Sequence, residues 1–304
     1  MAYVESMIVL GATNVILAIA LDLLIGVAGL FSAASGVFYG IGAYAAAIVW
    51  AHVTSNLLAA VVVAFVVGCL VAVPFIVPAL RARVEVTFVV ASLAFGEILT
   101  QVFQSWNGVT GGNEGLLGFP LPTLFGLTLS PGLSLVVVGI CLMLVVAGVK
   151  EAASRSSWGL DLRAVRNDDS AARSLGVRAT RIRIQVAILA CGLTALAGVL
   201  YAAEIGYVDP SGFGTSESEL IAAMVVLGGL ASFLGPIVGA IALTAIPAGL
   251  TFAPISSALL GPIEQGAYGL LIVLVILFRP EGIVGGFTRI TMRFRPTDTQ
   301  RQAP

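Results

Sequence analysis

Residues 57–80 read LLAAVVVAFVVGCLVAVPFIVPAL, an apolar run without a charged side chain. A helix of this length measures about 36 Å, enough to cross a hydrocarbon core of roughly 30 Å. The whole chain has the same character, because 59% of its 304 residues are hydrophobic and only 10% are charged. Soluble domains carry about 25% charged residues. The sequence therefore predicts an all-α polytopic membrane protein.

Further apolar runs predict the remaining spans. We expect a bundle of about eight to ten transmembrane helices, some short or broken because Gly228, Gly229, Gly235 and Pro236 interrupt the late apolar segment. Segment 35–50 is open to a second interpretation, in which it re-enters the membrane without crossing it. The expected helices lie near 8–30, 35–50, 57–80, 85–104, 131–149, 184–203, 217–234, 236–252 and 259–278.

The basic residues indicate which ends of the spans face the cytoplasm. All 15 Lys and Arg fall in the three segments 81–83, 150–183 and 279–301. Short loops rich in Lys and Arg stay inside. We therefore expect a transmembrane domain at 1–288 with a cytoplasmic loop at 150–183. The outer loop would be 105–130, the outer segment 204–216, and the polar cytoplasmic tail 289–304.

Polar residues within the spans are candidates for a solute path. A carboxylate in mid-membrane costs at least ~2.5 to 3.5 kcal/mol on insertion scales, so it faces protein or water. Asp22 and Glu97 meet this description, and Glu97, Gln101 and Gln104 share one helix face. For Glu97 two roles remain open: it could line a solute path, or it could join helices through hydrogen bonds. For Asp22 the neighbouring Gly26 and Gly29 favour a structural role.

Catalytic and metal-binding patterns are lacking in the sequence. It has one His, no Gly-rich phosphate-binding loop, and no HExxH or GxSxG pattern. We predict neither catalytic nor metal-ligating residues and do not expect an enzyme. An ion-coupled secondary transporter, with Asp22 and Glu97 as ion sites, is one alternative that the residues leave open.

Residues 159–177, GLDLRAVRNDDSAARSLGV, form a charged island in the predicted cytoplasmic loop. Helical spacing predicts one amphipathic helix with an apolar face of Leu162, Val165, Ala172 and Leu175. Asp161 or Asp168 would cap its start and Gly176 would end it. So short a helix must dock on something. The membrane surface, the protein's own helix ends and a cytoplasmic partner are all candidates, and the acidic residues favour a protein groove.

Part of this island, LRAVRNDDSAARSLGV at 162–177, resembles the cytoplasmic loop of permease subunits of branched-chain amino acid ABC importers, the LivM and LivH type. Four further blocks extend the resemblance over nearly the whole chain. They are GIGAY at 40–44, SLAFGEILTQVFQSWNGVTGGNEGLLGFP at 92–120, the segment 197–240, and LFRPEGIVG at 277–285.

The resemblance implies an ABC-importer permease architecture in the cytoplasmic membrane of a prokaryote. Separate ATPase subunits would bind ATP, so this chain would carry no cofactor. A second homologous permease subunit, an extracytoplasmic solute-binding protein and membrane lipid would be its other partners, and no nucleic acid is expected. The solute would be a branched-chain amino acid, or alternatively urea, an amide or another amino acid. The residues implied in ATPase coupling are Leu162, Arg163, Ala164, Val165, Arg166, Asp168, Asp169, Ala172, Leu175 and Gly176.

One block departs from the family pattern. Members commonly read GQ-SLGHAAFFGIGAY where this chain reads GLFSAASGVFYGIGAY at 29–44, so Leu30 and Ser35 replace a Gln and a His. Those polar groups are candidates for contact with the path, and their absence weakens the transfer of substrate identity. The path candidates are Asp22, Ser32, Ser35, Glu97, Gln101 and Gln104.

Overall fold

The structure, a computed structural model, describes residues 2–81, 85–124 and 126–250, with 263, 266–270, 273, 277 and 282–284 beyond them. Its helices are α1 (Ala2–Asp22), α2 (Ser35–His52), α3 (Leu57–Arg81), α4 (Glu85–Ser105), α5 (Asn107–Thr110), α6 (Leu133–Arg155), α7 (Ser157–Asn167), α8 (Asp169–Ser174), α9 (Ala179–Ile205), α10 (Thr215–Gly228) and α11 (Gly235–Leu250). A π-helical turn at Leu23–Val27 continues α1. Most of the predicted helix at 259–278 and all of the tail at 289–304 lie outside the described residues.

The expected all-α polytopic fold is confirmed. Five described helices are long and apolar enough to cross a membrane: α1 with its π-helical turn, α3, α4, α6 and α9. Helix α2 has 18 residues, whereas α10 has 14 and α11 has 16. Gly229 to Leu234 therefore interrupt the late apolar segment between α10 and α11.

Helix α9 lies at the centre of the bundle and packs against α1, α2 and α3. Both α1 and α9 are buried over most of their length, whereas α3, α4 and α6 are largely exposed along one side. In a membrane those exposed sides meet lipid or another subunit.

Two glycines allow α2 and α9 to cross at backbone contact. A Cβ atom on Gly42 would overlap the carbonyl of Ala195, and one on Gly198 would overlap backbone atoms of Tyr39 and Ala43. Small residues at such crossings are typical of membrane helices, which gain stability from close packing.

We expect Gly198→Val to destabilise the bundle, because the valine side chain must push α2 and α9 apart. Overpacking of this kind costs about 1–3 kcal/mol or more. The measurement is the melting temperature of the purified protein in mild detergent. Gly148→Val is the matched control, since no atom lies within 4 Å of its Cβ position. Equal melting temperatures for the two variants would contradict the packing argument.

The two segments expected outside the membrane meet at one end of the bundle. Strand β1 (Leu116–Leu117) pairs antiparallel with β4 (Tyr207–Val208), and the Tyr207 hydroxyl donates to the Glu114 carbonyl at 3.0 Å. A hairpin of β2 (Thr123–Leu124) and β3 (Leu127–Thr128) lies in the same loop. The segments 105–130 and 204–216 therefore share one face of the protein.

Helix α2 begins inside the bundle rather than at its edge. The Ala33 N–H donates to Ser92 Oγ of α4 at 2.9 Å, and the Gly36 N–H donates to Ser218 Oγ of α10 at 2.8 Å. Irregular backbone at membrane depth is tolerated only where such polar groups satisfy it. The chain after the π-helical turn thus returns into the bundle before α2 starts.

Candidate functional site

The first candidate site lies where the N-termini of α2 and α10 meet beside α4. The hydroxyl of Thr215 in α10 donates a hydrogen bond to Glu97 Oε1 of α4. Ser218 Oγ accepts a hydrogen bond from the Gly36 N–H at the start of α2. Helix N-termini carry partial positive charge, and transporters use broken helices of this kind to bind solute and ions. We call this group the polar junction; its members are Ser32, Ser35, Ser92, Glu97, Thr215 and Ser218.

The exposed side of α4 carries two polar groups one turn apart. Glu97 and Gln101 are exposed, whereas Gln104 is half-buried. Ser32 and Ser35 are buried beside the start of α2. A carboxylate facing lipid at this depth is costly. This face of α4 therefore needs cover from water or from another protein.

Asp22 lies apart from the polar junction, in a buried ion pair. Its Oδ2 is 2.6 Å from Lys150 Nζ, and both side chains are at least 96% buried. Asp22 Oδ1 accepts from the Ala231 N–H at 2.9 Å, and Lys150 donates to the Ser232 carbonyl at 2.8 Å. The pair therefore joins the end of α1 to the end of α6 and to the turn between α10 and α11.

The turn between α10 and α11, which hydrogen-bonds to this ion pair, has an unusual backbone conformation. Among the residues that the structure describes, Ala231 is the one non-glycine residue with a positive φ, at 58°. A side chain in that region costs roughly 1–2 kcal/mol. The hydrogen bond from Ala231 to Asp22 helps to hold the turn in this conformation.

The charged island forms two helices, which corrects the expectation of one. Asp168 is extended between α7 and α8 and accepts hydrogen bonds from the N–H groups of Ser170 and Ala171 at 2.9 and 3.0 Å. These bonds cap α8, and with the Ser170 hydroxyl they lower the pKa of Asp168, the Ala171 bond contributing most. Asp161 lies within α7, which Ser156 caps instead.

The predicted apolar face is buried at three of its four positions. Leu162, Val165 and Ala172 are at most 2% exposed, whereas Leu175 is 84% exposed. Leu162 joins the main core, and Val165 and Ala172 form a smaller cluster with residues at the start of α9. The island therefore docks on the protein's own helices, and Leu175 projects from it. Gly176 follows in a left-handed conformation, with φ 87°.

The charged residues of the island also contact the chain itself. Arg163 Nη2 donates to the Ser154 carbonyl at 3.2 Å, and Arg166 Nη1 donates to the Gly26 carbonyl in the π-helical turn. Asp169 pairs with Arg173 at 2.9 Å and with Arg183 of α9 at 3.6 Å. Ala164 is exposed. These bonds link α7 to α1 and α6, and α8 to α9.

Several residues at these sites were missed by sequence reasoning. Lys150 counted only as part of a basic cluster, although its place directly after the apolar run 131–149 was a signal that it could be buried. Thr215 and Ser218 follow Gly214, a pattern typical of a helix start. For Ser92 the sequence offers no comparable signal.

A bundle of membrane-length helices around a polar junction, with a helical element docked at one end, defines a multi-pass membrane protein of the transport permease class. Residues 3–278 match the family model for the branched-chain amino acid transport system permease component. The chain belongs to this family and is a permease subunit of an ABC importer.

Curated relatives agree with this assignment. The chain is 30% identical over 296 residues to the high-affinity branched-chain amino acid transport system permease protein LivM of Escherichia coli K12, covering 89% of this chain and 67% of the relative. The LivM protein of Salmonella typhimurium is 29% identical over the same shares. The autoinducer 2 import system permease protein LsrC of Salmonella paratyphi B is 31% identical over 55% of this chain and 48% of its own length. No solved structure matches this chain significantly.

Proposed function

We propose that this chain forms part of the translocation path for branched-chain amino acids in the cytoplasmic membrane of a prokaryote. Its partners would be two ATPase subunits, a second related permease subunit and an extracytoplasmic solute-binding protein. The proposal assigns transport to the chain and catalysis to the ATPase subunits. The names of the LivM relatives support the choice of solute.

The exposed polar face of α4 is the observation that carries this proposal. Glu97 and Gln101 are exposed on a membrane helix, and the Thr215 hydroxyl is the described group that bonds to Glu97. A path at a boundary with the second permease subunit would hydrate these groups and remove the cost of placing them in lipid. Ser32 and Ser35, at the start of α2, would line the inner part of this path.

Helices α7 and α8 would couple the path to the ATPase subunits. Leu162, Val165 and Ala172 fix them to the bundle, and Arg163 and Arg166 link them to α6 and α1. Asp168, Asp169 and Gly176 set the shape of the element, which presents Ala164 and Leu175 to a partner. A partner that moves this element would therefore move the ends of three spans as a rigid body.

The proposed topology follows from the same element. Segment 150–183 would be cytoplasmic, and 105–130 and 204–216 would be outside, where the block 108–120 would contact the binding protein. The C-terminal tail at 289–304 would be cytoplasmic. We likewise propose that the transmembrane domain comprises residues 1–288.

The relatives are named for different solutes, because LsrC is named for autoinducer 2 import. Urea, amides and other amino acids stay as alternatives for this chain. The ion-coupled alternative is less well supported, because Lys150 already pairs with Asp22.

The test is purification of the tagged chain from its native membrane in mild detergent, followed by mass spectrometry and uptake measurements in liposomes. We expect an ATPase and a related permease in near-stoichiometric amounts. Uptake of labelled leucine should require ATP and the binding protein, and isoleucine and valine should compete whereas urea should not. Uptake by the isolated chain on an ion gradient, without ATP, would contradict the proposal.

A further inference from the structure

A cleft of about 250 Å³ opens at the end of the bundle where α7 docks. We call it the basic cleft. Its walls come from the π-helical turn after α1, the end of α6, helix α7, and the turn between α10 and α11. Its lining includes Lys150, Ser154, Arg163, Arg166, Asn167 and Phe233.

The charges around the basic cleft do not balance. Lys150 is neutralised by Asp22, and Glu151, which also lines the cleft, is paired with Arg155. Arg163 and Arg166 donate to the backbone carbonyls of Ser154 and Gly26, which carry no formal charge. Neither guanidinium forms an ion pair among the described residues, although the charge of Arg166 also acts on Asp22, so positive charge exceeds negative charge at this place.

A buried hydroxyl group at the cleft also lacks a partner. Ser154 is 7% exposed and lines the cleft, and its Oγ atom makes no hydrogen bond to the described residues. Buried polar groups in proteins nearly always have a partner. The Asn167 side chain adds further hydrogen-bonding groups to the same wall.

The size and surroundings of the cleft restrict what it can hold. Its volume is below the roughly 300–1,000 Å³ typical of pockets for drug-sized ligands. Phe233 is 44% exposed at its rim, and the adjacent Leu234 is 55% exposed. An anionic group with an apolar extension, such as a lipid headgroup with its acyl chains, would match this arrangement.

We propose that the basic cleft binds a phosphate group, either the headgroup of an anionic phospholipid or inorganic phosphate. Two guanidinium groups that form no ion pair among the described residues would bind the phosphate oxygens, because Arg forms strong charge-assisted hydrogen bonds to phosphate. Basic pockets between membrane helices bind anionic headgroups in this way. A bound phosphate would join α7 to α1 and α6, so it would stiffen the element that faces the ATPase.

The test compares the full chain with Arg163→Gln and Ser154→Ala. One arm measures, by native mass spectrometry, retention of phosphatidylglycerol from nanodiscs that also contain zwitterionic lipid. The other arm titrates inorganic phosphate calorimetrically into protein in phospholipid-free detergent. Arg181→Gln is the matched control, since Arg181 is exposed on α9 and does not line the cleft. Melting curves establish that each variant is folded.

We expect Arg163→Gln to weaken binding about tenfold or more, because it removes a charge-assisted bond. Ser154→Ala should weaken binding less, and Arg181→Gln should bind like wild type. Retention of phosphatidylglycerol that phosphate does not displace identifies the lipid as the source, and calorimetric binding identifies free phosphate. The proposal is overturned if wild type binds neither probe, or if Arg181→Gln weakens binding as much as Arg163→Gln. If Arg163→Gln does not fold, wild-type-like binding by Ser154→Ala overturns it.

Discussion

Replacing Lys150 by methionine is expected to lower the melting temperature of the protein in detergent by roughly 10 °C. The substitution leaves Asp22 fully buried without its ion-pair partner. Breaking a buried pair by removing one member costs about 3–5 kcal/mol, and each kcal/mol shifts the melting temperature of a domain of 150–250 residues by about 2–4 °C. The turn between α10 and α11 should also loosen, because Lys150 donates to the Ser232 carbonyl.

A double substitution separates the loss of the pair from the loss of the lysine itself. Asp22→Asn combined with Lys150→Met should recover most of the stability, since the asparagine oxygen can still accept from the Ala231 N–H. Arg155→Met is the matched control, because Arg155 belongs to an exposed pair with Glu151 and such pairs contribute about 1 kcal/mol or less. A Lys150→Met variant that melts like wild type would show that the pair does not stabilise the fold.

Replacing Leu175 by glutamate is expected to reduce ATP-driven uptake about tenfold or more. Leu175 is 84% exposed, so the substitution leaves the packing of α7 and α8 intact. If the ATPase subunit covers this side chain, as proposed, the glutamate places an unpaired charge in that interface. A hot-spot residue of an interface costs about 2 kcal/mol or more when truncated, which corresponds to roughly thirtyfold in affinity. Uptake in liposomes and copurification of the ATPase measure the effect.

Leu127→Glu is the control for this prediction. Leu127 is 73% exposed and lies in the β2–β3 hairpin, away from α7 and α8. We expect it to insert, melt and transport like wild type. Normal uptake by Leu175→Glu, with the ATPase still copurifying, would show that the coupling surface lies elsewhere on the island.

The limits of sequence reasoning are clearest at the charged island. Helical periodicity identified Leu162, Val165 and Ala172 as one apolar face, and the structure buries all three. The same periodicity placed Leu175 with them, but α8 ends at Ser174 and Leu175 lies beyond it. A pattern of spacing assumes one continuous helix, so it fails beyond the residue at which the helix ends.

The polar residues of the spans also separate what the sequence predicted from what only the structure showed. Hydropathy singled out Asp22 and Glu97 as polar groups at membrane depth, but their neighbours come from segments distant in sequence. Lys150 partners Asp22, whereas Thr215 bonds to Glu97. The sequence described both carboxylates as charged groups within spans, but their surroundings differ. Asp22 is in a buried ion pair, and Glu97 is on an exposed helix face.

The sequence by itself determined the membrane class, most span positions and the family, because run length, hydropathy and the order of blocks are local properties of the chain. Only the tertiary structure decided that Asp22 pairs with Lys150, that α2 begins inside the bundle, and that Arg163 and Arg166 face the chain's own carbonyls. Each of these depends on which helices lie side by side. That arrangement follows from close packing between distant segments, as where Gly42 and Gly198 let α2 and α9 cross.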